Sequence, residues 1–257
     1  MILREPAYQR AIAEQRAAAD PRTRLTNLDS CAVETIARAD ASPIIERYEW
    51  LGGIGPRTEY FVGLISGTRE LLGVACFGHG PGGSISDIIG APALCLERGA
   101  CVHYAPPNAA SFLINRACKL LYRIDGIHRF FAYADPMAGE YGAVYQAAGW
   151  LYLGQGLDGS QGRRRRYFVL APGLDRNVPQ NWKTTRVFRR QGKPRLDFKT
   201  ARALGWQIAD RAAKHVYVAY VGGSSKERSK WRQGITARDY PKPHLSADIC
   251  ACSMKKD

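Results

Sequence analysis

From Leu94 to Ala134 the sequence reads strand, helix, strand, and this run constrains the fold more than any other. Leu94–Tyr104 is a β-like run, interrupted at Arg98-Gly99 and ended by Ala105-Pro106-Pro107. Asn108 stands where a helix cap belongs. Over Ala109–Arg123, Leu113, Ala117, Leu120 and Leu121 recur at helical spacing. Arg129–Ala134 is a second apolar strand. Two strands joined by a helix lie parallel in one sheet with the helix packed on its face, so the chain is α/β.

The flanking segments extend that unit. Tyr60–Ile65 and Leu71–Phe77 read as strands joined at a Gly67-Thr68 hairpin turn. Upstream, Tyr8–Ala19 is an Ala-rich helix and Val33–Arg38 a second helical stretch. Ser42-Pro43 opens a further helix that Gly52-Gly53 ends. Downstream come a helix over Glu140–Ala148, strands at Trp150–Leu153 and Tyr167–Leu170, a helix at Ala201–Ala213 and a β-run at His215–Val221. The glycine-rich stretch Gly78–Gly83 lacks the Lys-Ser/Thr of a nucleotide phosphate loop. The organisation expected is an N-terminal helical segment (1–42), a catalytic core (43–173), a basic lobe (174–243) and a mobile tail (244–257).

Charge is unevenly spread. Residues 1–150 carry 14 Lys and Arg against 15 Asp and Glu, whereas residues 151–257 carry 23 against 8. A near-neutral body with a basic extension suits a polyanion, nucleic acid first. The runs Arg163-Arg164-Arg165-Arg166 and Lys226-Glu227-Arg228-Ser229-Lys230-Trp231-Arg232 are the candidate footprint, with Trp231 or Tyr217 available to stack on a base. No apolar run has the ~18 residues of a membrane span, and the N-terminus lacks a signal peptide's apolar centre, which points to the cytoplasm. The seven cysteines include no C-x-x-C pair, and Cys250-x-Cys252 lacks a second half-site, so neither a zinc site nor a disulfide framework is expected. His79, His103 and His128 stand apart, without ligand spacing.

Five ordered motifs carry a resemblance. Leu96-Glu97-Arg98, Ala105-Pro106-Pro107-Asn108-Ala109-Ala110-Ser111, Tyr133-Ala134-Asp135-Pro136, Gly142-Ala143-Val144-Tyr145-Gln146-Ala147-Ala148-Gly149-Trp150 and Tyr240-Pro241-Lys242 resemble the phage Mom family over roughly residues 43–243. Those are DNA modification proteins with a GNAT acyltransferase-like fold. They convert adenine to an N6-carbamoylmethyl form that blocks host restriction. The resemblance implies a GNAT-like mixed central sheet flanked by helices, with a basic C-terminal extension. It also implies residence in the host cell cytoplasm, an acyl donor such as acetyl-CoA, and an iron site. This chain departs from the family at Arg47, where a His-Tyr pair is common, and at Glu140, where His is common. The metal candidates are then Tyr48, Glu49 and Glu140.

Roles follow for individual residues. Tyr145, four residues before Gly149-Trp150, is the candidate general acid, since a phenol can protonate a leaving thiolate. Asp135, at the end of an apolar strand, is placed to take a proton from an adenine amino group. Arg98, mid-strand among apolar residues, needs an anionic partner such as a cofactor phosphate or DNA. The first helical turn, Asn108, Ala109, Ala110 and Ser111, offers backbone N–H groups to phosphate. That turn lacks the glycines of ordinary GNAT enzymes, and Pro106 and Pro107 bring no N–H. Adenine modified at N6 has to leave the duplex stack. A conventional acetyl-CoA-dependent N-acetyltransferase of a protein or small amine, and a non-catalytic DNA-binding protein on a GNAT scaffold, are the competing readings. The sequence leaves the oligomeric state open, a dimer included.

Overall fold

The expected parallel pair lies inside a seven-stranded mixed sheet. The structure is a computed structural model and describes residues 8–80, 84–156, 167–176, 181–188, 196–210 and 213–242. The chain runs α1 (Tyr8–Ala19), β1 (Ala32–Thr35), α2 (Arg38–Tyr48), β2 (Thr58–Ile65), β3 (Leu71–Gly78), α3 (Ser84–Ile89) and β4 (Ala93–Cys101). It continues through α4 (Ala109–Asp125), β5 (Arg129–Ala134), α5 (Ala143–Ala147), β6 (Leu151–Gln155), β7 (Tyr167–Leu170), β8 (Trp182–Thr184), α6 (Phe198–Ala203), β9 (Gln207–Asp210), β10 (His215–Tyr220) and α7 (Ser225–Gln233). The large sheet has the order β1-β2-β3-β4-β5-β10-β6, with β4 and β5 parallel and every other pair antiparallel. A three-stranded sheet, β8-β7-β9, stands apart with α6 and its own core of Val169, Phe188 and Ala201.

Two apolar layers sandwich the large sheet. Alternation along β5 sends Phe130, Ala132 and Ala134 into the core beneath α2 and α4, and Phe131 and Tyr133 into a second core. That second core includes Ile85 and Ile89 of α3, and Trp231 of α7 packs against it. On α4 the buried residues Ala109, Leu113, Ala117 and Leu121 form the expected stripe, and Gly126 closes the helix in the left-handed conformation. Each fully buried Leu or Phe contributes about 2 kcal/mol relative to exposure.

The parallel pair is short. β4 and β5 pair from Ala93 with Arg129 to Leu96 with Ala132, and beyond that point the two strands part. The Val102 N–H bonds the Leu72 carbonyl, so Val74 and Ala100 form a hydrogen-bonded pair. Gly99 and Cys101 must then turn their backbone groups away from β3, into the gap. There the Gly99 carbonyl accepts a bond from the Gln9 amide of α1 at 2.7 Å.

Several expectations are corrected. Val33 does not begin a helix; it lies in β1, where pairing with β2 outweighs local preference. Ser42-Pro43 does not open α2, which starts at Arg38. The Asp40 carboxylate accepts the Ala37 N–H, and the Ser42 hydroxyl donates back to the Arg38 carbonyl. The helix expected over Ala201–Ala213 ends at Ala203, because Gly205 turns the chain at φ +81° into β9. The helix expected from Glu140 begins at Ala143, after Gly142 at φ +72°, where a Cβ would collide with the Tyr217 ring. Strands on either side of residue 173 do not divide as expected, since β7 joins the small sheet and β10 inserts between β5 and β6. The tail at 244–257 lies outside the described residues.

Candidate active site

The parting of β4 and β5 brings Asp135, just past the end of β5, into a buried neighbourhood of charge. Asp135 is only 3% exposed, and the Lys214 ammonium lies 3.4 Å from its carboxylate. The register explains the pairing: His215 faces Ala134, so Lys214 faces Asp135. A tight loop closes beside them. The Asp135 carbonyl accepts the N–H groups of Ala138 and Glu140, and the Glu140 carboxylate takes the Asp135 N–H. Burial raises the Glu140 carboxyl to about 7, aided by the charges of Glu49 and Asp135.

Glu49 and Arg98 complete the neighbourhood. Glu49 follows α2, is buried, and accepts the N–H groups of Leu51 and Gly52 at 2.7 and 3.0 Å. Burial moves its carboxyl above the usual range, against the pull of Arg98, whose Nε stands 3.9 Å away. Arg98 also donates to the carbonyls of Gly53 and Glu97, which answers how a mid-strand arginine is tolerated.

Tyr145 is half-buried on α5, packed against Trp150 and Tyr217 with ring centroids 5.5 and 5.2 Å apart. Burial, reinforced by the negative charge of Glu140 and Glu49, raises its phenol well above the ordinary value. At neutral pH it is therefore a proton-bearing donor. Tyr217 is fully buried, with its hydroxyl donating to the Tyr141 carbonyl and accepting from Gln146, so it packs the site and cannot stack on a base. His215 is held by the Tyr152 hydroxyl at 2.7 Å and kept neutral by burial, and its Nε2 has no partner among the described residues.

On the other side of α5 lies a cavity of about 240 Å³. The predicted turn Asn108, Ala109, Ala110 and Ser111 forms one wall, Val144 and Ala147 of α5 another, and Arg24 contributes a guanidinium. Asn108 is left-handed at φ 62° and makes no side-chain cap bond, while the Ser111 hydroxyl is spent on the Asn108 carbonyl. Apolar walls, a helix N-terminus and one arginine fit the apolar arm and anionic group of an acyl-CoA-type donor.

The residues do not fit iron. Tyr48 turns away from Glu49 into the core, with its hydroxyl on His103. Among the described residues no three His, Cys, Asp or Glu side chains converge on a point a metal ion could occupy. The basic footprint is partly visible. Lys226, Arg228, Lys230 and Arg232 are exposed on α7, which rides the face of the sheet opposite Tyr145. Trp231 is half-buried, bonds the Ile89 carbonyl through its indole N–H and packs on Tyr220, so it anchors α7 rather than offering a free ring. Arg163–Arg166 lie outside the described residues. No helix among those residues is long and apolar enough to cross a membrane. Lys214 and His215 were invisible as site residues in the sequence, because only the β5–β10 pairing brings them to Asp135.

A mixed sheet flanked by helices, with one parallel pair that parts, is the GNAT-like architecture expected from the motifs. The chain belongs to the Mom protein family, which it matches over residues 30–242, and so to a family of DNA modification proteins. Among solved structures it is similar to spermidine N-acetyltransferase from Vibrio cholerae in complex with CoA and spermine. Identity there is 11% and the TM-score 0.40, over 79% of this chain and 98% of that one. It is also similar to the ribosomal-protein-S5-alanine acetyltransferase of Vibrio fischeri at 10% identity and TM-score 0.38, over 75% and 93%. No curated protein sequence matches the chain.

Proposed function

We propose that the protein modifies adenine in phage DNA, converting it to N6-carbamoylmethyladenine and shielding the DNA from host restriction. The observation that carries this reading is the buried Asp135–Lys214 pair at the end of β5, within a chain of the Mom family. Asp135 accepts the proton lost by the adenine amino group. Tyr145 donates a hydrogen bond or a proton where negative charge develops on the leaving group. The cavity between α4 and α5 receives the arm of an acyl-CoA-type donor; simple acyl transfer from it would leave an amide on N6, so the methylene link and amide nitrogen of the carbamoylmethyl group come from chemistry beyond that transfer. Because Asp135 is buried, the target base reaches it only when turned out of the stack. The cations of α7 hold the DNA backbone without reading sequence. The protein works in the host cytoplasm, where that DNA is.

The test is chemical. DNA from a bacterium expressing the protein is digested to nucleosides and analysed by mass spectrometry. The expected result is an adenine adduct of carbamoylmethyl mass, strongly reduced with Tyr145→Phe. Unmodified adenine beside abundant folded protein would sink the reading in that host. An acetylated protein or polyamine in its place would favour the conventional acetyltransferase.

A further inference from the structure

Among the described residues, the neighbourhood at the end of β5 brings the acids Glu49, Asp135 and Glu140 together with the cations Arg98 and Lys214. The cations are not shared evenly. Arg98 comes from β4; its Nε donates to the Gly53 carbonyl with the Glu49 carboxylate 3.9 Å away, and its Nη1 donates to the Glu97 carbonyl. Lys214 enters from the opposite side, at the head of β10, and its ammonium is 3.4 Å from Asp135. Its position is fixed at both edges of the strand. His215 is in register with Ala134 on β5, and the Lys214 carbonyl accepts the Gly156 N–H just beyond β6. The Glu140 carboxylate bonds the Asp135 backbone N–H instead. The other nearby titratable groups cannot replace the lysine: His215 is neutral and bound to Tyr152, and Tyr145 bears its proton.

The geometry points to Lys214 as a positioning residue: set opposite Asp135 by the β5–β10 register, it holds that carboxylate, rather than Glu140 or Glu49, in place as the proton acceptor of the site. This inference rests on the proposed role of Asp135 as proton acceptor. A buried acid without a neighbouring cation retains its proton and cannot accept another. Lys214 is the cation at Asp135, Arg98 on the far side stands nearest Glu49, and the Glu140 carboxylate is spent on the Asp135 backbone N–H. The residue that defines the base therefore comes from a strand about eighty residues further along the chain than the base itself.

Two measurements on the full-length protein test it. The first needs no activity. Thermal unfolding is followed for Lys214→Gln, Asp135→Asn and Glu140→Gln, singly and with Lys214→Gln combined with each acid variant. The Tm loss from Lys214→Gln should largely vanish when residue 135 is already Asn and persist when residue 140 is already Gln. Coupling to residue 140 equal to or greater than coupling to residue 135 would overturn the assignment. The second follows adenine adduct in cellular DNA after induction, at matched soluble protein. Lys214→Gln should slow accumulation about tenfold or more, and Lys214→Arg should restore most of the rate. A wild-type rate in Lys214→Gln, with Asp135→Asn inactive, removes the lysine's role and leaves the base standing. A wild-type rate in Asp135→Asn removes the base itself. Slow accumulation that Lys214→Arg does not restore would make the lysine structural only.

Discussion

Two charged regions of this molecule, one assembled from residues far apart in the chain and one a contiguous run, differ in what charge does there. At the end of β5, Glu49 and Asp135 are buried and Glu140 half-buried beside them, with Arg98 and Lys214 as cations. On α7, Lys226, Arg228, Lys230 and Arg232 stand in solvent, with Trp231 pinning the helix to the sheet below. Burial makes each charge of the first region costly unless paired, so a change there alters protonation and chemistry. Solvent screens the second, so a change there alters only how strongly a polyanion is held. On the proposed function, chemistry and holding lie on opposite faces of one sheet.

Variants can break or sharpen that contrast. Asp135→Asn keeps the shape and removes the acceptor; adenine modification should fall about 10²–10⁴-fold with the DNA affinity unchanged in a binding titration. Tyr145→Phe removes one hydroxyl, and a loss of about 10²–10³-fold in the same mass assay is expected. Glu140→Gln tests burial through pH. The folded carboxyl keeps its proton up to about 7, against 4.5 for an ordinary glutamate, so the folded state binds more protons in that window. Wild-type stability should therefore fall as pH rises from 4.5 to 7, by on the order of 3 kcal/mol. In denaturant melts the glutamine variant should lose that slope and be the more stable protein above pH 7. Smallest of all, neutralising one of Lys226, Lys230 or Arg232 should weaken DNA binding a few-fold and lower the salt slope by about 1, with the modification rate at saturating DNA untouched.

The sequence carried the near-neighbour part of this arrangement and little of the long-range part. The β4–α4–β5 unit was legible because a period-2 run, a helical stripe and short connections lie side by side. The positions of Asp135 and Tyr145 were legible because a strand end and a helix mark them, while the roles expected of them came from the family resemblance. The turn at Asn108–Ser111 was found for the same reason, and it does line the cavity. Lys214 was hidden because nothing near residue 214 says that β10 will enter between β5 and β6. Tyr217 read as a surface ring because a β-run does not announce which strand covers it, and here both neighbours do. Trp231 lies in a run so basic that it read as exposed, yet its ring faces the second core. Tyr48 and Glu49, adjacent in sequence, part because Tyr48 is the last residue of α2 and packs inward while Glu49 lies beyond the helix end.

The separation of chemistry from holding can be tested in one measurement: the nucleoside composition of DNA from cells expressing, at matched soluble levels, the wild type, Asp135→Asn, and a variant with Lys226, Lys230 and Arg232 all changed to Ala. Modified adenine should be abundant in the first, absent in the second and reduced but present in the third. Modified adenine persisting in Asp135→Asn, with its complete loss in the α7 variant, would contradict the account.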